Sequence, residues 1–386
     1  MPNKFEMVSA MLKRAYIHIG LEKTGTSSLQ LFLRFNEAVL RSNGFSYLCG
    51  NDKAYFDGNA HFPVAACHFP LCPDFISPAK FRPAKDVLGS LRHDVQTSEF
   101  NIIISCEHFS SRLFDRNALV AIREAMPERH IRIICYLRRQ DEMALAAYST
   151  AVRSGYREPF RLEGVEHTNP YFNYRAILEL WGSVFGFRNI IVREFDRDKL
   201  VGRDIREDFL DLIGLPNRQF QLTEDLNESL DSRQVEMLRQ INRYLTSFDC
   251  EEDRRAYDDA QLVRNFLEKM LPASDALGVM LSNSERETVM HRFEDTNRWV
   301  AETFANADFV LGWQEPRLHM TDRSRPSVVG TEDFARVVAA CGLRILELQR
   351  IINAPVHSGA RRATKIALLI FRRTVSWLSR VAGNGI

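Results

Sequence analysis

Four short runs rich in β-branched residues alternate with helix-period segments, and this restricts the fold more than any other feature of the chain. The runs are Ala15–Ile19 (AYIHI), Asn101–Ser105 (NIIIS), His130–Leu137 (HIRIICYL) and Asn189–Arg193 (NIIVR). Continuous apolar strands of this length suit a parallel sheet covered on both faces. Between them, Ser27–Arg41 carries Leu29, Phe32, Leu33, Val39 and Leu40 at helical spacing, and Arg139–Ser154 and Tyr174–Phe187 also read as helices. Strand–helix alternation implies a doubly wound α/β core that binds its ligand outside the carboxyl ends of the strands.

The texture changes near Asn227. Ser232–Tyr244, Asp259–Leu271 and Asn283–Phe304 are charged amphipathic helices without strand signals. Thr321–Gly330 reads as a linker, and a helical pair follows over Asp333–Ile352 and Arg361–Val381. The expected organisation is an α/β core over 14–226, a helical extension over 227–320 that completes the core and supplies the acceptor side, and a linker with C-terminal helices over 321–386.

Composition excludes several classes. The 386 residues hold 51 basic and 50 acidic side chains, a formal charge of +1, so nucleic acid is not an expected partner. The seven cysteines are odd in number and scattered, which argues for a reducing, cytoplasmic setting rather than a disulfide framework. His61, Cys67, His68 and Cys72 lack a second ligand pair at zinc spacing, so no metal is expected. No apolar run approaches the roughly 18 residues of a spanning helix.

The most informative segment is Tyr16–Gln30, YIHIGLEKTGTSSLQ. A strand ends at Gly20, a polar loop carries Lys23, Thr24, Gly25, Thr26, Ser27 and Ser28, and a helix begins. Gly25 permits a turn that aims consecutive backbone N–H groups at one point, the helix start adds unpaired donors, and Lys23 adds a full charge. The spacing Gly20 to Gly25 fits a nucleotide-triphosphate loop, but Thr26 stands where that motif requires lysine. A plain Ser/Thr-capped helix is the simpler reading, and it leaves the density of donors unexplained.

This segment resembles the 5′-phosphosulfate loop of the PAPS-dependent sulfotransferases (PKTGTTS or PKSGTTW), especially bacterial and carbohydrate-type members. Lys23, Thr24, Thr26 and Ser27 match, and Glu22 replaces the usual proline. The resemblance extends to YLRRQDE, where the family places R-x-P-x-x-x-x-x-S-x-Y to hold the 3′-phosphate. Arg138 and Tyr148 carry over; Ala146 takes the serine position, with Ser149 three residues on as the substitute. From the residues alone, Arg138 or Arg139 makes the phosphate contact, or both pair with Asp141 and Glu142. DFLDLIGLP at Asp208–Pro216 and NESL at Asn227–Leu230 also look family-like, so the likeness runs loosely over 14–314. It implies an α/β fold with a P-loop-like parallel sheet flanked by helices and mostly helical C-terminal additions.

The resemblance implies PAPS as co-substrate, no required metal, and a carbohydrate or glycolipid hydroxyl or amine as acceptor. Lys23 would steady the bridging oxygen. CEHFS after the second apolar run puts Glu107 and His108 at a strand's carboxyl end as base candidates, and His61 in GNAHFPVAA is a third. Two rival readings stay open: a nucleotide-dependent kinase, and a non-catalytic PAP-binding scaffold. Finally, residues 361–386 hold six basic and no acidic side chains, leaving the rest of the chain with 45 basic against 50 acidic. On a helical wheel Arg361, Arg362, Lys365, Arg372, Arg373 and Arg380 face away from the apolar side, with Leu369 breaking the separation. Such a helix fits peripheral contact with the inner face of an anionic membrane, or docking on protein.

Overall fold

The computed structural model describes residues 13–216, 219–223, 230–243, 264, 281–304 and 307–314. The linker, both C-terminal helices, nearly all of Asp259–Leu271 and the start of NESL lie outside the described residues. The described chain divides into two compact units. One comprises residues 13–143, 163–223 and 287–314, the other residues 144–162, 230–243, 264 and 281–286. The helical segments after 227 are thus shared between the two units.

The first unit is built on five parallel strands: β1 (Arg14–His18), β2 (Phe45–Ser46), β3 (Asn101–Ser105), β4 (His130–Leu137) and β5 (Ile190–Glu194), in the order β2-β3-β1-β4-β5. β1 lies in register with both neighbours, Ala15 opposite Ile102 and Ile131. Ala15, Tyr16, Ile17 and His18 are all buried, as are Ile102–Ile104. That is why these runs are apolar throughout rather than alternating. The helices of the first half are α1 (Thr26–Phe35), α2 (Glu37–Ser42), α3 (Phe62–Ala66), α4 (Ala84–Thr97), α5 (His108–Ser111) and α6 (Arg116–Glu124). α7 (Gln140–Arg153), α8 (Tyr174–Phe185), α9 (Ile205–Ile213), α10 (Ser232–Asn242), α11 (Asn283–Arg292) and α12 (Glu294–Thr303) follow. The fold is α/β, a parallel sheet flanked by helices.

Two buried polar links fix elements that hydrophobic contact alone would leave free to slide. Gln140 and Asn297, both fully buried, exchange amide hydrogen bonds of 2.7 and 3.2 Å and tie the start of α7 to α12. Asp208 on α9 is also fully buried. Its Oδ2 accepts from Tyr136 Oη at 2.8 Å and Arg193 Nε at 3.1 Å, and its Oδ1 accepts from the Val201 amide at 3.1 Å and from Arg193 Nη2. One carboxylate thereby binds α9 to β4 and β5. In the second unit Asn242 Nδ2 donates to the carbonyls of Val152 and Tyr156, at 2.7 and 3.0 Å.

Ser105 gathers two buried histidines beneath the carboxyl end of the sheet. Its hydroxyl lies 2.8 Å from His18 Nδ1, and its amide donates to His61 Nδ1 at 3.2 Å. Burial pushes both imidazoles from 6.5 down to about 3, so both are neutral in the fold.

The unfolded chain binds these two protons near pH 6.5 and the folded chain does not. Their contribution to stability is complete above that pH and falls as the pH drops toward 3. Urea melts between pH 6.5 and 5 should show a loss approaching about 1.4 kcal/mol per pH unit for each histidine. His61→Gln should halve the slope; an unchanged slope would contradict the assignment. Asp208→Ala strips Tyr136, Val201 and Arg193 of one shared acceptor and should cost about 3 kcal/mol in the same assay.

Candidate functional site

β1 delivers its chain end into a loop with an unusual backbone. Ile19 still pairs with Ile134 at 3.0 Å. Gly20, Lys23 and Gly25 then all adopt positive φ, at 63°, 66° and 75°. A side chain would not fit at Gly20: a Cβ there would sit 2.9 Å from the Glu107 Cα. At Gly25 a Cβ would press on Ile205 at 3.1 Å and Phe195 at 3.2 Å. The loop is therefore walled by the end of β3, the end of β5 and the start of α9.

Thr24 closes the loop on itself. Its hydroxyl donates to the Leu21 carbonyl at 2.7 Å, and it is fully buried. The Thr24 hydroxyl is thus engaged within the loop itself. Gly25 is the N-cap of α1 in the left-handed conformation, and no side chain caps that helix. The first N–H groups of a ten-residue helix thus face the loop. Thr26 is buried, and Ser27 and Ser28 are half-buried.

The arginine pair after β4 separates into two roles. Arg139 is buried with Asp141, Nε to Oδ1 at 2.9 Å and Nη2 to Oδ2 at 3.3 Å, and is structural. Arg138 turns to the loop. Its Nη1 donates to the Lys23 carbonyl at 3.0 Å, its Nε lies 3.4 Å from Glu142 Oε2, and its guanidinium lies 5.8 Å from the centroid of the Phe195 ring. Tyr174 Oη donates to the Arg138 carbonyl at 2.5 Å and steadies its backbone. Tyr148 and Ser149 belong to the second unit. There the Tyr148 hydroxyl donates to the Glu158 carbonyl at 3.0 Å, and burial raises it to about 12.

Of the three base candidates, Glu107 and His108 lie at the end of β3. Glu107 accepts from Gln30 Nε2 at 2.6 Å, and the same nitrogen reaches Ser105 Oγ at 3.3 Å. His108 Nδ1 lies 3.4 Å from Glu22 Oε1. His61 lies beside the last residue of the same strand, its amide donating to the Ser105 carbonyl at 3.0 Å. It is fully buried among Tyr47, Tyr55 and Phe56, with ring centroids 5.1 to 6.1 Å away. With its Nδ1 accepting from the Ser105 amide, the imidazole is packed and bonded as a core side chain.

Glu22 sits where burial would raise its carboxyl. The nearby His108 ring and Ser111 hydroxyl, with the charges of His108 and Lys23, outweigh burial and hold it down to about 2. Tyr171 Oη donates to its other oxygen at 3.2 Å. The sequence singled out neither Gln30 nor Tyr171. Gln30 was legible in principle, because it lies one helical turn beyond Thr26 on the same face; Tyr171 arrives from a distant loop.

Cys49, Cys67, Cys72, Cys106 and Cys135 are free thiols. Among the described residues no helix is long and apolar enough to cross a membrane, and no group of three His, Cys, Asp or Glu is arranged to hold a metal.

No family model matches the chain. A protein of Archaeoglobus fulgidus described as uncharacterized is 27% identical over 219 residues, covering 55% of this chain and 57% of its own. The chain therefore spans little more than half the length of that relative. The crystal structure of a sulfotransferase from Alicyclobacillus acidocaldarius aligns over 65% of this chain and 94% of its own, at 15% identity and a TM-score of 0.35. A likeness this loose carries no activity from one chain to the other.

Proposed function

We propose that the chain is a PAPS-dependent sulfotransferase that moves a sulfuryl group to a hydroxyl or amine, with a carbohydrate or glycolipid as acceptor. The observation that carries this reading is the loop after β1. It combines an uncapped helix start, Lys23, and an arginine from the end of β4 bonded to the Lys23 carbonyl. This is a cradle for two anionic groups, one on the helix start and one within reach of a guanidinium. A nucleotide with a 5′-phosphosulfate and a 3′-phosphate has that charge pattern.

In this reading the backbone donors of the cradle and the hydroxyls of Thr26, Ser27 and Ser28 bind the 5′-phosphate. Lys23 stabilises the charge that grows on the bridging oxygen. Arg138 recognises the 3′-phosphate while it holds the loop. A base at the end of β3, Glu107 or His108, takes the acceptor proton as the acceptor attacks sulfur in line with the leaving oxygen. A sulfuryl group carries less negative charge than a phosphoryl group, which lessens the demand for a metal ion. A cytoplasmic setting, with 361–386 in contact with a membrane surface, completes the proposal. Liposome co-sedimentation with and without those residues tests its last part, and equal binding would sink it.

Calorimetry should show PAP binding in preference to ATP, with Lys23→Ala losing it by at least about tenfold. Preference for ATP would turn the reading toward a kinase, and PAP binding without any sulfuryl transfer would mark a non-catalytic PAP-binding protein. Arg138→Ala should weaken PAP about 10- to 100-fold more than adenosine 5′-phosphosulfate, the range of one hydrogen bond to a charged group. The loss common to both ligands measures the loop bond to Lys23. Equal losses would reject the 3′-phosphate role.

A further inference from the structure

Beside the cradle lies a second polar cluster, built around the glutamate that replaces the resembling family's proline. Glu22 Oε1 is buried and lacks a well-aligned hydrogen bond. His108 Nδ1 lies 3.4 Å from it. Ser111 Oγ is 3.3 Å from the same nitrogen, and Tyr171 Oη holds the opposite carboxylate oxygen at 3.2 Å. The imidazole is clamped: its centroid lies 4.1 Å from that of Phe75 at an interplanar angle of 31°, and 5.3 Å from that of Phe62 at 41°. Glu107, by contrast, is engaged by Gln30 at 2.6 Å.

Resting on the sulfotransferase reading, we propose that Glu22 and His108 form a carboxylate–imidazole pair. Glu22 fixes the proton on Nδ1, so Nε2 is the atom that takes the acceptor's proton. An ionised carboxylate can only accept hydrogen bonds. A bare Nδ1 facing Glu22 would set lone pair against lone pair, whereas an Nδ1–H turned to it would give the buried oxygen the donor it lacks. Ser111 Oγ, 3.3 Å from Nδ1, can accept from the same nitrogen. With Nδ1 protonated in a neutral ring, Nε2 keeps its lone pair. The 3.4 Å separation is a long contact of the kind that tightens once substrate is bound.

In the step itself, the acceptor oxygen forms a bond to sulfur as the bridging S–O bond breaks. The acceptor proton passes to Nε2, and the released electron pair stays on the former bridging oxygen of PAP beside Lys23. The Glu22 charge then faces the imidazolium so formed. Glu22 is a positioning residue, and His108 is the catalytic one. Placing the carboxylate next to Lys23 in the chain lets one loop serve both the leaving and the attacking groups.

The test uses the full chain labelled with ¹⁵N-histidine. Nitrogen shifts should show His108 with a protonated Nδ1 and a bare Nε2, and Glu22→Ala should return it to the Nε2–H form preferred by free histidine. Glu22→Gln, whose amide oxygen still accepts, should keep the Nδ1–H form. An Nε2–H ring in the parent chain overturns the pairing.

PAP release from PAPS, with water as acceptor, should fall by about 10² or more for His108→Asn and about tenfold for Glu22→Ala, in kcat rather than KM. PAP affinity measured by calorimetry should stay within about threefold, which shows that the cradle is folded in each variant. Unchanged release by His108→Asn overturns its role as base. A parent chain that does not bind PAP would instead sink the sulfotransferase reading, while the nitrogen shifts would still decide the pairing.

Discussion

β1 has a parallel neighbour on each edge, and that double pairing sets the position of everything at the site. With β3 on one side and β4 on the other, the carboxyl end of β1 is where three loops must converge. Each loop brings one kind of chemistry. The β1 loop brings backbone donors and Lys23, the β3 end brings Glu107 and His108, and the β4 end brings Arg138. None of these groups is near another in sequence except Glu107 and His108. The sheet order makes them neighbours, and the bond from Arg138 to the Lys23 carbonyl is the direct sign of it.

The loop holds its shape against backbone preference. A lysine at φ 66° lies in a region that costs an L-residue about 1–2 kcal/mol. Thr24 and Arg138 offset that cost by bonding the carbonyls of Leu21 and Lys23. The same conformation leaves the first-turn amides of α1 without a side-chain cap.

Much of the sheet could be read from residue pattern, because buried parallel strands are apolar without interruption. Asn101–Ser105 and His130–Leu137 match β3 and β4, and the other two runs are displaced from β1 and β5 by one residue at both ends. β2 is two residues long and too short to show any period. The helical pattern from Ser27 to Arg41 reads as one helix but breaks at Asn36. There the side chain bonds the Phe32 carbonyl and the distant Gln221 carbonyl, both at 2.9 Å. At the site, the density of Lys, Gly, Thr and Ser after a strand singled out the loop, whereas the residues alone left Arg138 and Arg139 open and only the resemblance chose between them. His61 was not legible, since an identical His-Phe-Pro stretch could line a pocket or fill a core, and only its aromatic surroundings decide. Glu22 stood out only as a departure from a motif; its partners come from α5 and a loop far along the chain.

The walls of the cradle also say when it can form. Gly25 packs against Phe195 and Ile205, and α9, which carries Ile205, is locked to β4 and β5 through Asp208. The first βα loop of the chain therefore depends on residues made much later, and these are contacts of high sequence separation. A growing chain that has completed β1 and α1 has the amino acids of the cradle without its walls. The finished shape of this loop therefore requires α9 in place, not only the loop's own residues.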